Sequence, residues 1–186
     1  MTLNEIYKKS LNEKRLIRLK TKHPDGDNYD GIILKETDKL IFLASETDFE
    51  FNGIIIFAKK FIKGFRYGRF EECHNELIRF NGQINKVRLP VWLKTVNSWE
   101  DILRGLNKRD IWPCVEILYN KLEKSVFYIG PGIGGDEEGF TLHGYDADGK
   151  WEKEYYLNYD EIFRVEFNDK YSKNFNSYMK SKEKGS

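Results

Sequence analysis

At 186 residues with a formal net charge of +1, the chain has room for one medium domain or two small ones, and it lacks the strongly basic balance that marks a nucleic-acid binder. Residues 1–90 hold 17 Lys and Arg against 13 Asp and Glu, and residues 91–186 hold 14 against 17, so the halves differ only modestly. Four Pro argue against long disordered linkers, two Cys make no disulfide framework, and no run approaches the ~18 apolar residues of a membrane span. The opening MTLNEIYKKSLNEKRL is polar and has no apolar stretch of the secretory kind, so the expectation is a soluble cytoplasmic protein with no membrane contact.

Thr2 and Glu5 have the spacing of a capping box, and Leu3, Ile6, Tyr7 and Leu11 form one apolar stripe, which predicts a first helix. Arg15 to Thr21 reads as a strand, and His23-Pro24-Asp25-Gly26 as a loop. Gly31 to Leu34 and Leu40 to Ala44 read as two more strands, turned at Thr37-Asp38-Lys39. Asp48 to Phe51 alternates before Asn52-Gly53, and Asn-Gly between apolar runs predicts a hairpin turn there. Ile54 to Phe57 is a continuous β-branched and aromatic run, expected to be buried on both faces. Phe61, Ile62 and Phe65 make a short turn and closing strand. Phe70, His74, Leu77 and Ile78 then stand at helical spacing, with Asn81-Gly82 as the stop.

The same order returns about 100 residues later. Ser98-Trp99-Glu100-Asp101-Ile102-Leu103 matches residues 2–7 at an offset of 96, and Val115 and Ile117 correspond to Leu19 and Thr21. Ser125 to Ile129 and Phe140 to Tyr145 supply strands. Asp148-Gly149 stands in for Asn52-Gly53, and Trp151 to Leu157 alternates along the outgoing strand. Ile162 and Val165 parallel Ile62 and Phe65, and Tyr171, Phe175, Tyr178 and Met179 repeat the closing-helix spacing at 101. Recurrence of helix, hairpin and closing helix in one order implies an internal duplication. The predicted organisation is a module over 1–84, a linker over 85–96 containing Pro90, and a second module over 97–186.

A helix, five short strands and a turn before the last strand resemble the Sm-like fold among the SH3-like small barrels. That resemblance implies a mainly β protein of two tandem five-stranded barrels, each with an N-terminal and a C-terminal helix. Gly31 and Asp38 fit the first Sm-like signature, while Phe42 stands where its Asn would be. Phe57-Ala58-Lys59-Lys60-Phe61-Ile62 keeps the Ile of the second signature and loses its Arg-Gly pair. The missing residues are those with which the family holds RNA.

Gly130-Pro131-Gly132-Ile133-Gly134-Gly135 has the spacing of a phosphate cradle, but Asp136-Glu137-Glu138 follows where a helix N-terminus is needed, so a flexible loop is expected. Asp146-Ala147-Asp148-Gly149 resembles a calcium-loop fragment whose other ligand positions fall on Gly144 and Tyr155, so it reads as a hairpin turn. Cys73-His74 is adjacent rather than spaced for chelation or for a nucleophile and its base, and His74 reads as part of a packed helix stripe. Asp136, Glu137, Glu138, Glu152 and Glu154 cluster near Tyr145, Trp151 and Tyr156. Strand alternation puts Glu152, Glu154 and Tyr156 on one face, either a docking face for a basic partner or a solvated exterior. All four Trp lie after residue 91.

No catalytic residues, metal site or cofactor emerge. The reading is a non-catalytic protein, monomer or dimer, that binds another macromolecule, with a protein partner expected in the manner of an immunity protein or complex subunit. One alternative is an RNA binder using Lys59, Lys60, Lys63 and Arg66 beside Phe61, Phe65 and Tyr67. The other is an enzyme with its site between the modules.

Overall fold

A computed structural model describes residues 3–119 and 124–184 of the chain. It is mainly β with four α-helices and divides into two compact units, 1–94 and 95–186. Thr2 of the expected capping box lies outside the described residues.

The first unit runs α1 (Leu3–Glu13), β1 (Ile17–Thr21), β2 (Asn28–Glu36), β3 (Leu40–Thr47), β4 (Glu50–Ala58), a 3-10 turn over Lys59–Phe61, β5 (Ile62–Arg66) and α2 (Arg69–Phe80). Antiparallel pairing orders the strands β5-β1-β2-β3-β4. Within this unit β4 and β5 are the two ends, so the five strands form an open ladder rather than the closed barrel expected. The predicted apolar run is buried throughout, from Ile54 to Ala58, and it pairs with the equally buried Leu40 to Ala44 of β3. Phe42, at the place of the missing Asn, is fully buried as well and serves the core.

The predicted hairpin turn at Asn52-Gly53 is corrected. The chain reverses at Asp48-Phe49, both with positive φ (51° and 65°), the backbone that a two-residue hairpin twisting with its strands needs. The Glu46 side chain fixes the turn by accepting the Phe49 N–H at 2.5 Å. Asn52 and Gly53 instead lie inside β4 opposite Ser45, where the register slips by one residue and Gly53 takes φ 83°. Asn-Gly supplies a bulge here, which makes the same backbone demand as a turn.

Residues 85–94, most of the expected linker, belong to the first unit. Val87 joins the core of Leu16, Ile32, Ala44 and Ile78, and Lys35 Nζ donates to the carbonyls of Leu93 and Lys94 at 3.0 and 3.1 Å.

The second unit runs α3 (Trp99–Asn107), β6 (Cys114–Tyr119), β7 (Lys124–Ile129), β8 (Gly132–Gly135), β9 (Gly139–Tyr145), β10 (Trp151–Asn158), β11 (Ile162–Phe167) and α4 (Lys170–Lys184). Ser98 caps α3 by accepting the Asp101 N–H at 3.1 Å, as its spacing predicts. The strands pair as β11-β6-β7 and as β10-β9-β8. The expected glycine loop is therefore wrong in part: Gly132 to Gly135 is a strand. Gly130 makes the kink between β7 and β8, because a Cβ there would lie 2.1 Å from the His143 carbonyl oxygen. With β7 and β8 taken as one kinked strand, the connectivity is that of the first unit.

Register carries the duplication to single residues. Leu19 pairs with Phe65 and Val115 with Val165, which are equivalent at offsets of 96 and 100. A second bulge sets Gly144 opposite Glu152 and Lys153, the counterpart of Ser45 opposite Asn52 and Gly53. Asn52-Gly53 thus corresponds to Glu152-Lys153, not to Asp148-Gly149. The expected turn at Asp148-Gly149 is found, closed by Lys150 N–H donating to Asp146 Oδ1 at 2.8 Å.

Candidate functional site

The closing helices are where each unit departs most from simple hydrophobic patterning. Of the stripe Phe70, His74, Leu77 and Ile78 that was expected to face the core, Ile78 alone is fully buried, and beside it α2 buries Glu71 and Asn75. Buried polar groups must be paired, and both are. Glu71 accepts from Arg66 Nε and Nη2 at 2.9 and 2.6 Å and from the Gly68 N–H at 2.8 Å. Asn75 accepts the Leu16 N–H at 2.8 Å and donates to the carbonyls of Leu16 (3.3 Å) and Glu71 (2.8 Å). The helix is thereby clasped to the residue just before β1 by hydrogen bonds, with Ile78 as its apolar anchor.

The apolar side of α2 consequently faces outward. Phe70 is 47% exposed, Leu77 38% and Phe80 89%, and Cys73 between them is exposed as well. His74 is half-buried at the ridge's edge, its ring 4.7 Å from that of Phe49 and 4.1 Å from that of Phe70. Its Nδ1 lies 3.4 Å from the buried Glu46 carboxylate. The guanidinium groups of Arg18 and Arg66 sit over the Phe70 ring at 5.0 and 5.8 Å. Arg18 is fixed by Asp30 through bonds of 2.7 and 2.5 Å.

The second unit repeats the arrangement at the offset of 101. α4 turns Ser172, Asn176 and Met179 inward, and Asn176 Nδ2 donates to the Trp112 carbonyl at 2.8 Å while its Oδ1 accepts the Tyr145 hydroxyl at 2.8 Å. Trp112 stands 96 residues after Leu16, at the matching place. Asp169 caps α4 by accepting the Ser172 N–H at 2.8 Å. Tyr171 and Tyr178, the counterparts of Phe70 and Leu77, are 49% and 48% exposed. Tyr171 packs between Phe127 and Phe175 at 6.3 and 4.6 Å. The two asparagine clasps were missed by sequence reasoning. The signal that points to them is an Asn in mid-helix, a poor helix former, recurring at 101.

The acidic face is rearranged by the bulge in β10. Glu152 and Tyr155 both approach Gly144, and the Tyr155 hydroxyl bonds the Glu152 carboxylate, so Glu152 does not share a face with Tyr156. Tyr156 instead donates its hydroxyl to Asp136 Oδ1 at 2.7 Å. That bond, with the N–H groups of Glu138 and Gly139, holds the Asp136 carboxyl below its usual range and pushes the Tyr156 hydroxyl up to about 12. Glu154 is exposed and pairs with His143 across the ladder.

Half of the basic strip is neutralised: Lys59 is ion-paired with Glu36 and Arg66 with the buried Glu71, while Lys60 lies 5.0 Å over the Phe61 ring. Lys63 is exposed at the rim of a cleft of about 370 Å³ that Tyr7, Glu36, Lys59 and Phe65 also line. Burial pushes the Glu36 carboxyl up, but the hydrogen bonds from Lys59 and Tyr7 outweigh it and hold the group below its usual range.

Cys114 is buried, and burial pushes its thiol well above the ordinary value, which suits packing rather than reaction. Among the described residues no three His, Cys, Asp or Glu side chains gather so as to hold a metal ion, and no helix is long and apolar enough to cross a membrane.

Comparison with protein-family models, with curated proteins and with solved structures finds no match to this chain.

Proposed function

We propose that the chain is a non-catalytic protein of two tandem Sm-like modules that binds another protein. The observation that carries this reading is the outward apolar ridge on α2, with its aromatic counterpart on α4. Phe70, Leu77 and Phe80 are exposed along one helix while Glu71 and Asn75 are buried beneath it. Contiguous apolar surface of that kind marks an interaction site, and Tyr and Phe flanked by Arg are the residues that anchor protein interfaces. The strand order β5-β1-β2-β3-β4, with a helix before and after, supports the Sm-like assignment in the first unit. The internal pairing of Lys59 and Arg66 favours a protein partner over RNA, because cations already neutralised release few counterions on binding a phosphate backbone.

The test is affinity capture from the native cell followed by mass spectrometry, run with the wild-type chain and with a chain carrying Leu77→Ser and Tyr178→Ser. The expected result is a protein recovered with the first and depleted with the second. Recovery of nothing beyond background, or equal recovery with both, would count against the reading. So would RNA retention on a filter with a steep salt dependence.

A further inference from the structure

The ridge of α2 is broader than that of α4. Positions 70, 73, 77 and 80 step by three, four and three, so Phe70, Cys73, Leu77 and Phe80 share a strip ~80° wide. This is the spacing with which paired helices interdigitate. The equivalent positions beside Tyr171 and Tyr178 are Asn174 and Ser181, both exposed and polar. The core-facing residues Glu71, Asn75 and Ile78 lie on the opposite side of α2, so pairing through the strip leaves the clasp to Leu16 undisturbed.

We propose that this strip is where a second copy of the chain packs, α2 against α2 in antiparallel. The inference rests on the protein-binding reading above and names the partner of one of its ridges. Two observations select a second copy. The first is self-complementarity. A two-fold axis at the level of Asn75 sets Phe70 opposite Phe80 of the partner subunit and Cys73 opposite Leu77 of the partner subunit. Every layer is then filled by the same face, as an isologous dimer requires.

The second is area. The exposed parts of Phe49, Phe70, Leu77 and Phe80 amount to roughly 400 Å² of apolar surface. Doubled and rimmed by neighbouring residues, this gives an interface on the order of 1,000 Å², the low end for specific association. Glu76, beside the strip, meets its own copy in this register, which also holds the affinity down. The dimer is therefore reversible and concentration-dependent.

The experiment is sedimentation equilibrium on the purified full chain from about 5 to about 300 µM, joined to copper-catalysed thiol oxidation. Wild type is expected to shift from monomer to dimer across that range. Phe80→Asp, at a position too exposed to affect folding, is expected to raise the dissociation constant at least ~10-fold with an unchanged circular dichroism spectrum. Leu77→Cys is expected to give a covalent dimer on oxidation, because residue 77 faces Cys73 of the partner subunit. Wild type is expected to resist it, because the two copies of Cys73 lie ~6 Å apart along the helix axis. A wild type that stays monomeric throughout, an unaltered dissociation constant in Phe80→Asp, no cross-link in Leu77→Cys, or direct cross-linking of wild type overturns the antiparallel pairing. A monomer that still captures another protein overturns this inference and leaves the protein-binding reading standing.

Discussion

Replacing Asn75 by Ala removes the clasp between α2 and the start of β1 without touching the apolar core. Leu16 is fully buried, and its N–H and carbonyl both bond the Asn75 side chain. Each group left buried and unpaired costs ~1–3 kcal/mol, while the side-chain entropy recovered returns ~1 kcal/mol. The better helix propensity of Ala returns about half a kcal/mol more. The balance is a destabilisation of about 3 kcal/mol, confined to the first unit. Urea unfolding followed by far-ultraviolet circular dichroism reads it as a lower midpoint for one phase with an unchanged slope. Amide hydrogen exchange reads it locally, as a roughly hundredfold loss of protection at Leu16. Phe80→Ala, on the exposed side of the same helix, serves as the control and is expected to change stability by less than ~0.5 kcal/mol. A cost below ~1 kcal/mol for Asn75→Ala, with Leu16 still protected, would refute the view that polar contacts hold this helix.

The remaining predictions concern the strands. Glu166 is pushed up to about 7 by burial, with Asp169 and Glu116 adding to the effect and Arg164, bonded at 2.8 Å, opposing it. A carboxyl raised in the folded state gives stability that is whole below its unfolded value and is lost as pH rises through about 7. Glu166→Gln should therefore gain on wild type by about 2 to 3 kcal/mol between pH 5 and pH 8 in urea titrations; a gap independent of pH would contradict this. Gly31→Ala should destabilise the first unit by ~1–3 kcal/mol or more. A Cβ there would lie 2.3 Å from the Ala44 carbonyl oxygen and 2.7 Å from Leu43 Cγ. An unchanged melting temperature would mean that β2 and β3 lie further apart.

Periodicity located the elements because alternation and helical spacing are local properties. Ile54 to Phe57 was legible as a doubly buried strand, and Ser98 as a helix cap, from neighbours alone. Asn52-Gly53 was misread because turn and bulge make the same demand on the backbone. What separates them is register: Leu40 to Ala44 must stay opposite Ile54 to Ala58 to keep both runs buried, and this leaves Asp48-Phe49 as the only reversal point. The same bulge in β10 took Glu152 off the face it was expected to share with Glu154 and Tyr156, since one extra residue exchanges the two sides of a strand, while Glu154 and Tyr156 beyond the bulge stay together. Two of the cations expected to form a strip were found paired, Lys59 with Glu36, which β2 brings from 23 residues away, and Arg66 with Glu71, five residues on in the first turn of α2.

The chain by itself determined its helices, its duplication and all its strands but β8, because each rests on spacing within a few residues or on repetition at a constant offset, whereas Gly132 to Gly135 carry no alternation to read. Tertiary structure alone decided which way α2 and α4 face. A helical pattern states which side chains share a side, not which side is inward. That choice depended on whether Glu71, Asn75 and Asn176 would find partners, and Arg66, Leu16, Trp112 and Tyr145 supply them. With the polar side satisfied inside, Phe70, Leu77 and Phe80 were left at the surface, where a partner can reach them.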